Sequence, residues 1–264
     1  MPHKLNLASL RISALVGMGR HPLSGRERRA PTDARAVELG LRLAPQALEV
    51  LHVGDPQHPG LNSYAGMGLA TLRVLSQSED ADAVPALVDY LREQSRDIIL
   101  TGMQAERGES SGMLPYLLAE QLGCPVVTGI TEIRGVADGV AEVLQAQPRG
   151  QRRLLKVTLP FVASVDLAAA PPRQYAYGVA RRVKIEVLPV SEPVLDQVRA
   201  DWQASPAKPR PKRLKVIKAK TAAERFKAAT VRSQNESGKV MRDESIEAKA
   251  QAVFELLLEE GVLR

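Results

Sequence analysis

DIILTG (97–102), MQAERGESS (103–111), GMLPYLLAEQLG (112–123), Cys124 and PVVTG (125–129) follow one another near the middle of the chain. The first run is short, apolar and β-branched, as a buried strand requires. The second is polar and enters a segment where leucines recur at helical spacing. Gly123 ends that segment, and PVVTG opens the next apolar run. Strand, loop, helix and strand in this order make a βαβ unit, whose two strands lie parallel.

The same alternation extends toward the N-terminus. ASLRISALVG (8–17) reads as a buried strand and DARAVELGLRLA (33–44) as a helix. Ala36, Val37, Leu41 and Ala44 share one face of that helix, and Asp33 suits its N-cap or first turn. LEVLHVG (48–54) is a second strand, a glycine-rich segment over 62–75 is expected to be helical, and a further helix runs over 80–94. Strands alternating with helices predict an α/β domain: a three-layer, doubly wound, mostly parallel sheet. Toward the C-terminus VAEVLQA (140–146) and RRLLKVTL (152–159) flank a Pro/Gly turn and read as a hairpin. PFVASVDL (160–167) adds one more strand, so an antiparallel section extends the parallel sheet.

The predicted α/β domain spans 1–190, and 191–264 forms an extended C-terminal arm. Residues 206–232 hold ten basic side chains against the single acid Glu224. Residues 243–264 reverse the sign and read as a helix in which Ile246, Ala250, Val253, Phe254, Leu257 and Leu258 follow helical spacing. Burying five large side chains yields on the order of 2 kcal/mol each. Fixing the backbone costs about 1–2 kcal/mol per residue. The arm therefore needs a surface to dock on, which another chain can supply.

Composition excludes several functions. The 264 residues carry a net charge of +6 and 44% hydrophobic side chains, enough for a core. Cys124 is the one cysteine, so the chain holds no disulfide of its own, no CxxC pair and no cysteine-ligated cluster. His3, His21, His52 and His58 do not repeat at i, i+4 on one helix, which removes the zinc-hydrolase pattern. No apolar run is long enough to cross a membrane. The N-terminus lacks the pattern of a signal peptide, and a cytoplasmic location is expected.

Three segments could carry chemistry. After 97–102, Gly102, Gly108 and Gly112 bracket Glu106, Arg107, Glu109, Ser110 and Ser111 at a helix start. Free N–H groups there and two hydroxyls suit a phosphate; an ordinary serine-capped turn has the same spelling. GMGRHPLSGRERR (17–29) follows the first strand, and in an open parallel sheet the loops at 17–32, 54–56 and 102–112 share the ligand-binding edge. It contains G-x-G without the full dinucleotide fingerprint, and reads equally as a solvated basic loop. PPRQYAYGVARRVKIE (171–186) sets Tyr175 and Tyr177 beside Arg181, Arg182 and Lys184. That suits docking to an acidic protein, and equally an edge strand with a basic face. Cys124 reads as a packed small hydrophobe.

The order of these pieces resembles the beta subunit of electron transfer flavoproteins. DARAVELGLRL is similar to that family's first helix, DIILTGMQA with ESSGMLPYLLAEQLGCPVVTGITEI to its central signature, PPRQYAYGVARRVKIEVL to its docking segment and VFELLLEEGVL to its last helix. GMGRHPLSGRERR replaces the usual start, which marks a divergent branch. The resemblance implies an adenine-nucleotide alpha-hydrolase-like sheet. It implies a non-catalytic electron carrier, paired with an alpha subunit that holds most of a shared FAD. It also implies a structural AMP, or a second FAD, on this chain. By the match, Ala14, Val16, Gly17, Ala30, Thr32, Asp33, Gly54, Asp55, Gly102, Gln104, Gly108, Glu109, Ser110, Ser111 and Gly112 surround the nucleotide. Tyr175, Tyr177, Arg181, Arg182 and Lys184 match the segment that docks on a flavin-dependent dehydrogenase, from which electrons pass to a downstream acceptor. The expected partners include no nucleic acid and no inserted membrane. Two other readings of the residues remain open: an adenine-nucleotide hydrolase or transferase, and a nucleic-acid-binding protein using 206–232.

Overall fold

The computed structural model describes residues 10–203, 205, 221–224, 226 and 241–259. The chain divides into two units, Met1–Gln203 and Ala204–Arg264. Among the described residues of the first, eleven strands and six α-helices follow in the order β1 (Ile12–Leu15), β2 (Met18–Arg20), β3 (Glu27–Arg29), α1 (Pro31–Leu43), β4 (Leu48–Gly54), α2 (Leu61–Ala65), β5 (Thr71–Ser76), α3 (Ala83–Gln94), β6 (Ile98–Gly102), α4 (Leu114–Leu122), β7 (Val126–Ala137), β8 (Val140–Ala146), β9 (Arg152–Thr158), β10 (Phe161–Val165), α5 (Tyr177–Ala180), β11 (Lys184–Pro189) and α6 (Gln197–Ala200).

Nine strands form one sheet in the order β11-β5-β4-β1-β6-β10-β7-β8-β9. The strands from β11 through β7 pair in parallel, while β7-β8 and β8-β9 are antiparallel. The sheet is the expected mostly parallel α/β layer with an antiparallel extension. From β1 the chain first builds outward to β4 and β5, then returns to place β6 on the other flank of β1. The winding reverses there, and the reversal leaves a crevice beyond the carboxyl ends of these strands.

Strand alternation feeds two cores. Ile12, Ala14, Ile98 and Leu100 face the cluster that contains Val37, Leu61 and Tyr64. Leu15 and Ile99 point to the other face, against Leu87, Val88, Leu91 and Leu118 of α3 and α4. Successive side chains of a strand point to opposite faces, so these central strands are apolar on both, with Ser13, Thr101 and Ser164 as buried polar exceptions.

Several expectations need correction. The 62–75 segment is not one helix: α2 ends at Ala65, and Thr71–Ser76 is strand β5. Gly66 and Gly68, the latter at φ +91°, break the helix. TLRVLS then alternates, with Leu72 and Val74 fully buried. The loop after β1 is an antiparallel ribbon, β2-β3, closed by the His21–Arg26 turn with Gly25 at φ +67°. Helix α1 begins at Pro31 after Ala30, and of the two positions expected for Asp33, N-cap or first turn, it takes the first turn. The 171–186 segment is coil, the short α5 and edge strand β11, rather than one continuous strand.

Residues 194–196 join the sheet unit: Asp82 N–H donates to Val194 (2.7 Å), Asp196 N–H donates to Asp80 (2.9 Å), and Ala81 bridges Leu195. The second unit contains helix α7 (Ile246–Glu259), whose Ile246, Val253, Phe254, Leu256 and Leu258 are exposed. Most of the basic run 206–232 lies outside the described residues.

Candidate functional site

Beyond β1 the chain reaches two successive peptide units, Val16–Gly17 and Gly17–Met18, that three side chains hold. His52 Nδ1–H donates to the Val16 carbonyl at 2.8 Å. The Gly17 N–H donates to Asp33 Oδ2 at 2.7 Å. The Tyr64 hydroxyl donates to the Gly17 carbonyl at 2.8 Å and accepts the Ala30 N–H at 2.9 Å. His52, Asp33 and Tyr64 are all buried, and each comes from a different element: β4, α1 and α2. The turn after β1 is thus set by contacts between residues far apart in sequence.

Burial shifts the titration of all three side chains. Desolvation pushes the Asp33 carboxyl up to about 7, although N–H groups of Gly17 and Gly102 and the Thr32 hydroxyl favour its anion. Desolvation drives the Tyr64 phenol well above its ordinary range and holds the His52 imidazole below its own. At neutral pH His52 is a neutral ring with its proton on Nδ1, because a carbonyl can only accept.

Close packing makes glycine necessary at Gly102. A Cβ there would overlap the Asp33 carboxylate and lie 2.6 Å from Thr32 Oγ1. The loop that follows is folded on itself. Gln104 donates to the Ser110 carbonyl, Ser110 Oγ donates to the Ala105 carbonyl at 2.7 Å, and Ser111 Oγ accepts the Met113 N–H at 3.3 Å. Gly108, Ser110 and Gly112 take positive φ, and a Cβ on Gly112 would meet the Met103 carbonyl at 2.8 Å. Glu106 turns away toward the β2-β3 ribbon, accepting from the Arg20 N–H (3.1 Å) and from Arg28 (3.0 Å). One of the two acids that would repel a phosphate here is already engaged by cations and N–H groups.

These loops wall a cleft of about 520 Å³, a size suited to one small ligand. Of the residues expected around a nucleotide, Val16, Gly17, Asp33, Gly102, Gln104, Glu109, Ser110, Ser111 and Gly112 line it. Ala14, Ala30, Thr32, Gly54, Asp55 and Gly108 do not. Ala14 is core, and Ala30 holds the Tyr64 hydroxyl. Thr32 donates to the Gln104 carbonyl at 3.3 Å, and Asp55 caps a turn through the Gln57 N–H at 2.8 Å. Gly54 sits against the His52 ring, and Gly108 bends the loop.

Sequence reading missed the other wall. His52 and Val53 of β4, the Asp82–Val84 start of α3, and Asp196, Val198 and Trp202 also line the cleft. The available signal was the chain's one tryptophan, set within a segment that reads as a linker. Among the described residues no group of three or more His, Cys, Asp or Glu could hold a metal ion, and no helix is long and apolar enough to cross a membrane.

The segment expected to dock on a partner sits apart from the cleft lining. Tyr175 and Tyr177 are 57% and 73% exposed. The Arg29 guanidinium lies 5.6 Å from the Tyr175 ring centre, and Arg181 lies 6.0 Å from that of Tyr177. Arg173 anchors the segment on buried Glu38 at 2.8 Å, and the Ala176 N–H donates to the Gly66 carbonyl at 3.0 Å. Burial opposes the Glu38 charge, but hydrogen bonds from Arg173 and Arg42 outweigh it and hold the carboxyl below its ordinary range. Arg182 follows α5, and Lys184 pairs with Glu186 on the edge strand at 2.8 Å. Cys124 packs in the α3/α4 core, where burial raises its thiol.

Comparison with known proteins bears on this site. The electron transfer flavoprotein domain family matches residues 25–193. The electron transfer flavoprotein subunit beta of Chromohalobacter salexigens is 47% identical over 266 residues, covering 100% of this chain and 99% of that protein. A protein of Escherichia coli K12, provisionally named electron transfer flavoprotein subunit YgcR, is 28% identical over 127 residues, 46% of this chain and 48% of its own length.

Proposed function

The chain belongs to the electron transfer flavoprotein family as a beta subunit, and from that premise we propose that it works as half of an electron-carrying pair. The other half is an alpha subunit holding most of an FAD, and this chain closes over that flavin. Electrons come from a flavin-dependent dehydrogenase and leave to a downstream acceptor.

The observation that carries the reading is the cleft at the reversal of strand order, with a folded glycine-serine loop on one side and, on the other, Val53, Val84, Val198 and Trp202 together with His52, Asp82 and Asp196. Its volume suits one mononucleotide, and we assign it to AMP, with the adenosine half of a second FAD as the alternative occupant. Ser110, Ser111 and Gly112, which lead into α4, are the residues that would hold the phosphate, helped by the helix dipole. Gly17 and Gly102 keep the floor open, since a Cβ at either is crowded by Asp33. AMP has no redox chemistry; it fills and stiffens the wall. The flavin, when bound, supplies the one- and two-electron chemistry. This chain's residues position, cover and dock.

The exposed Tyr175 and Tyr177 with Arg181, Arg182 and Lys184 form the docking surface for the dehydrogenase. The apolar face of α7, together with the rest of the C-terminal arm over 191–264, forms the docking surface for the alpha subunit. The first is supported by aromatic exposure beside positive charge and the second by exposed Ile246, Val253, Phe254, Leu256 and Leu258.

The test is to copurify this chain with the alpha-type subunit of its own genome, extract with acid and identify the nucleotides by mass. FAD with AMP, or FAD in twofold amount, supports the reading. A pair with no adenine nucleotide beyond one FAD refutes the cleft assignment.

A further inference from the structure

The clamp on the Val16–Gly17 peptide uses one side of His52. Nδ1–H is committed to the Val16 carbonyl. The opposite nitrogen, Nε2, lies against Gly54, where a Cβ would approach it to 3.1 Å, and has no hydrogen-bond partner among the described residues. His52 lines the cleft. A neutral imidazole whose Nδ1 keeps the proton must present Nε2 as a bare acceptor. Nε2 is open to the cleft rather than sealed in the core, so a ligand donor can take the place of water on it. Asp33, on the other end of the same peptide, is a second acceptor on the cleft wall. The surrounding ionisable groups are Asp55 and His58 on the adjoining turn, and Asp82, Arg107, Glu109 and Asp196 around the cleft.

We propose that His52 Nε2 is a specificity-determining acceptor that receives a hydrogen bond from a hydroxyl or amino donor on the nucleoside half of the bound nucleotide. The inference rests on the nucleotide reading of the cleft and adds to it a polarity: acceptors on the β4 and α1 side, the phosphate on the loop side. His52 then joins two functions. One nitrogen sets the turn after β1, and the other reads the ligand.

Two substitutions separate these functions. Asparagine places an amide N–H near Nδ1, so H52N keeps the bond to Val16 and loses the outer acceptor. Glutamine reaches the position of Nε2, so H52Q restores an acceptor there. The subunit pair is stripped of nucleotide, and AMP, its 2′-deoxy and 3′-deoxy forms and inosine monophosphate are titrated by calorimetry. One neutral hydrogen bond of about 0.5–1.5 kcal/mol corresponds to about 2- to 12-fold in affinity. H52N is expected to bind AMP weaker by about that factor, with thermal unfolding close to wild type. H52Q recovers the affinity. One of the three analogues binds wild type more weakly than AMP does, yet binds H52N equally.

Equal AMP affinity in wild type and H52N overturns the proposal. So does analogue discrimination that persists unchanged in H52N. If the stripped wild-type pair takes up neither AMP nor a second FAD, the nucleotide reading of the cleft fails and this inference fails with it. Folded H52N that keeps AMP affinity shows the opposite case, in which the cleft reading stands and the role of His52 falls.

Discussion

Tyr64 offers the sharpest perturbation of the turn after β1. Its side chain is fully buried, and its hydroxyl is at once donor to the Gly17 carbonyl (2.8 Å) and acceptor from the Ala30 N–H (2.9 Å). Tyr64→Phe keeps the ring and removes one oxygen. Both backbone groups lose their partner in a site that admits little water. A buried polar group left unpaired costs about 1–3 kcal/mol, so two of them destabilise by roughly 2–6 kcal/mol. In a domain of this size about 1 kcal/mol moves Tm by roughly 2–4 °C, and a drop on the order of 10 °C is expected. Urea unfolding of wild type and variant, followed by circular dichroism, gives the free-energy difference directly. The Tyr64 phenol stays neutral far above physiological pH, so the loss should be the same at pH 6 and pH 8. A difference below about 0.5 kcal/mol would refute the idea that this hydroxyl holds the turn.

Asp33 should behave in the opposite manner with pH. Its carboxyl rises from 3.8 to about 7 on folding, so the folded state binds the extra proton. The associated stability is present below pH 3.8 and is lost as pH rises through about 7. At about 1.4 kcal/mol per pH unit inside that window, wild type should lose roughly 2 kcal/mol relative to Asp33→Asn between pH 5 and pH 7; parallel stability curves would contradict this. Gly102→Ala forces a Cβ into the Asp33 carboxylate, and overpacking of this kind costs about 1–3 kcal/mol, measurable by urea unfolding. Glu106→Ala frees the loop after β6 from the ribbon while breaking only partly exposed pairs. Global stability should fall by less than about 1 kcal/mol, whereas amide exchange over 103–113 should accelerate severalfold; unchanged exchange would show that Glu106 does not pin the loop.

The parallel sheet was legible because its central strands, ISAL in β1 and IILTG in β6, are buried on both faces and read as short apolar runs interrupted by the small hydroxyl residues Ser13 and Thr101. The TLRVLS strand was not, because Gly66 and Gly68 dilute the window before it and alternation over six residues is a weak signal. The β2-β3 ribbon carries charge rather than alternation, and its pairing depends on the turn closed by Gly25. The loop side of the cleft could be read from glycines and serines clustered at a helix start. The opposite wall could not. His52 lies in the middle of a strand, Trp202 follows a stretch with linker composition, and both reach the cleft through contacts that only the folded chain makes. Asp33 shows the same limit: its place in the first turn of α1 was legible, while its partner, Gly17, lies sixteen residues away.

The most direct test is spectroscopic. When this chain is coexpressed with its alpha-type partner and the pair is purified, the account predicts a yellow complex of equal stoichiometry. Its flavin absorbance should bleach on addition of the cognate dehydrogenase and its substrate and return with an acceptor. A stable, colourless chain that forms no such pair, or a pair whose flavin stays oxidised under those conditions, would contradict it.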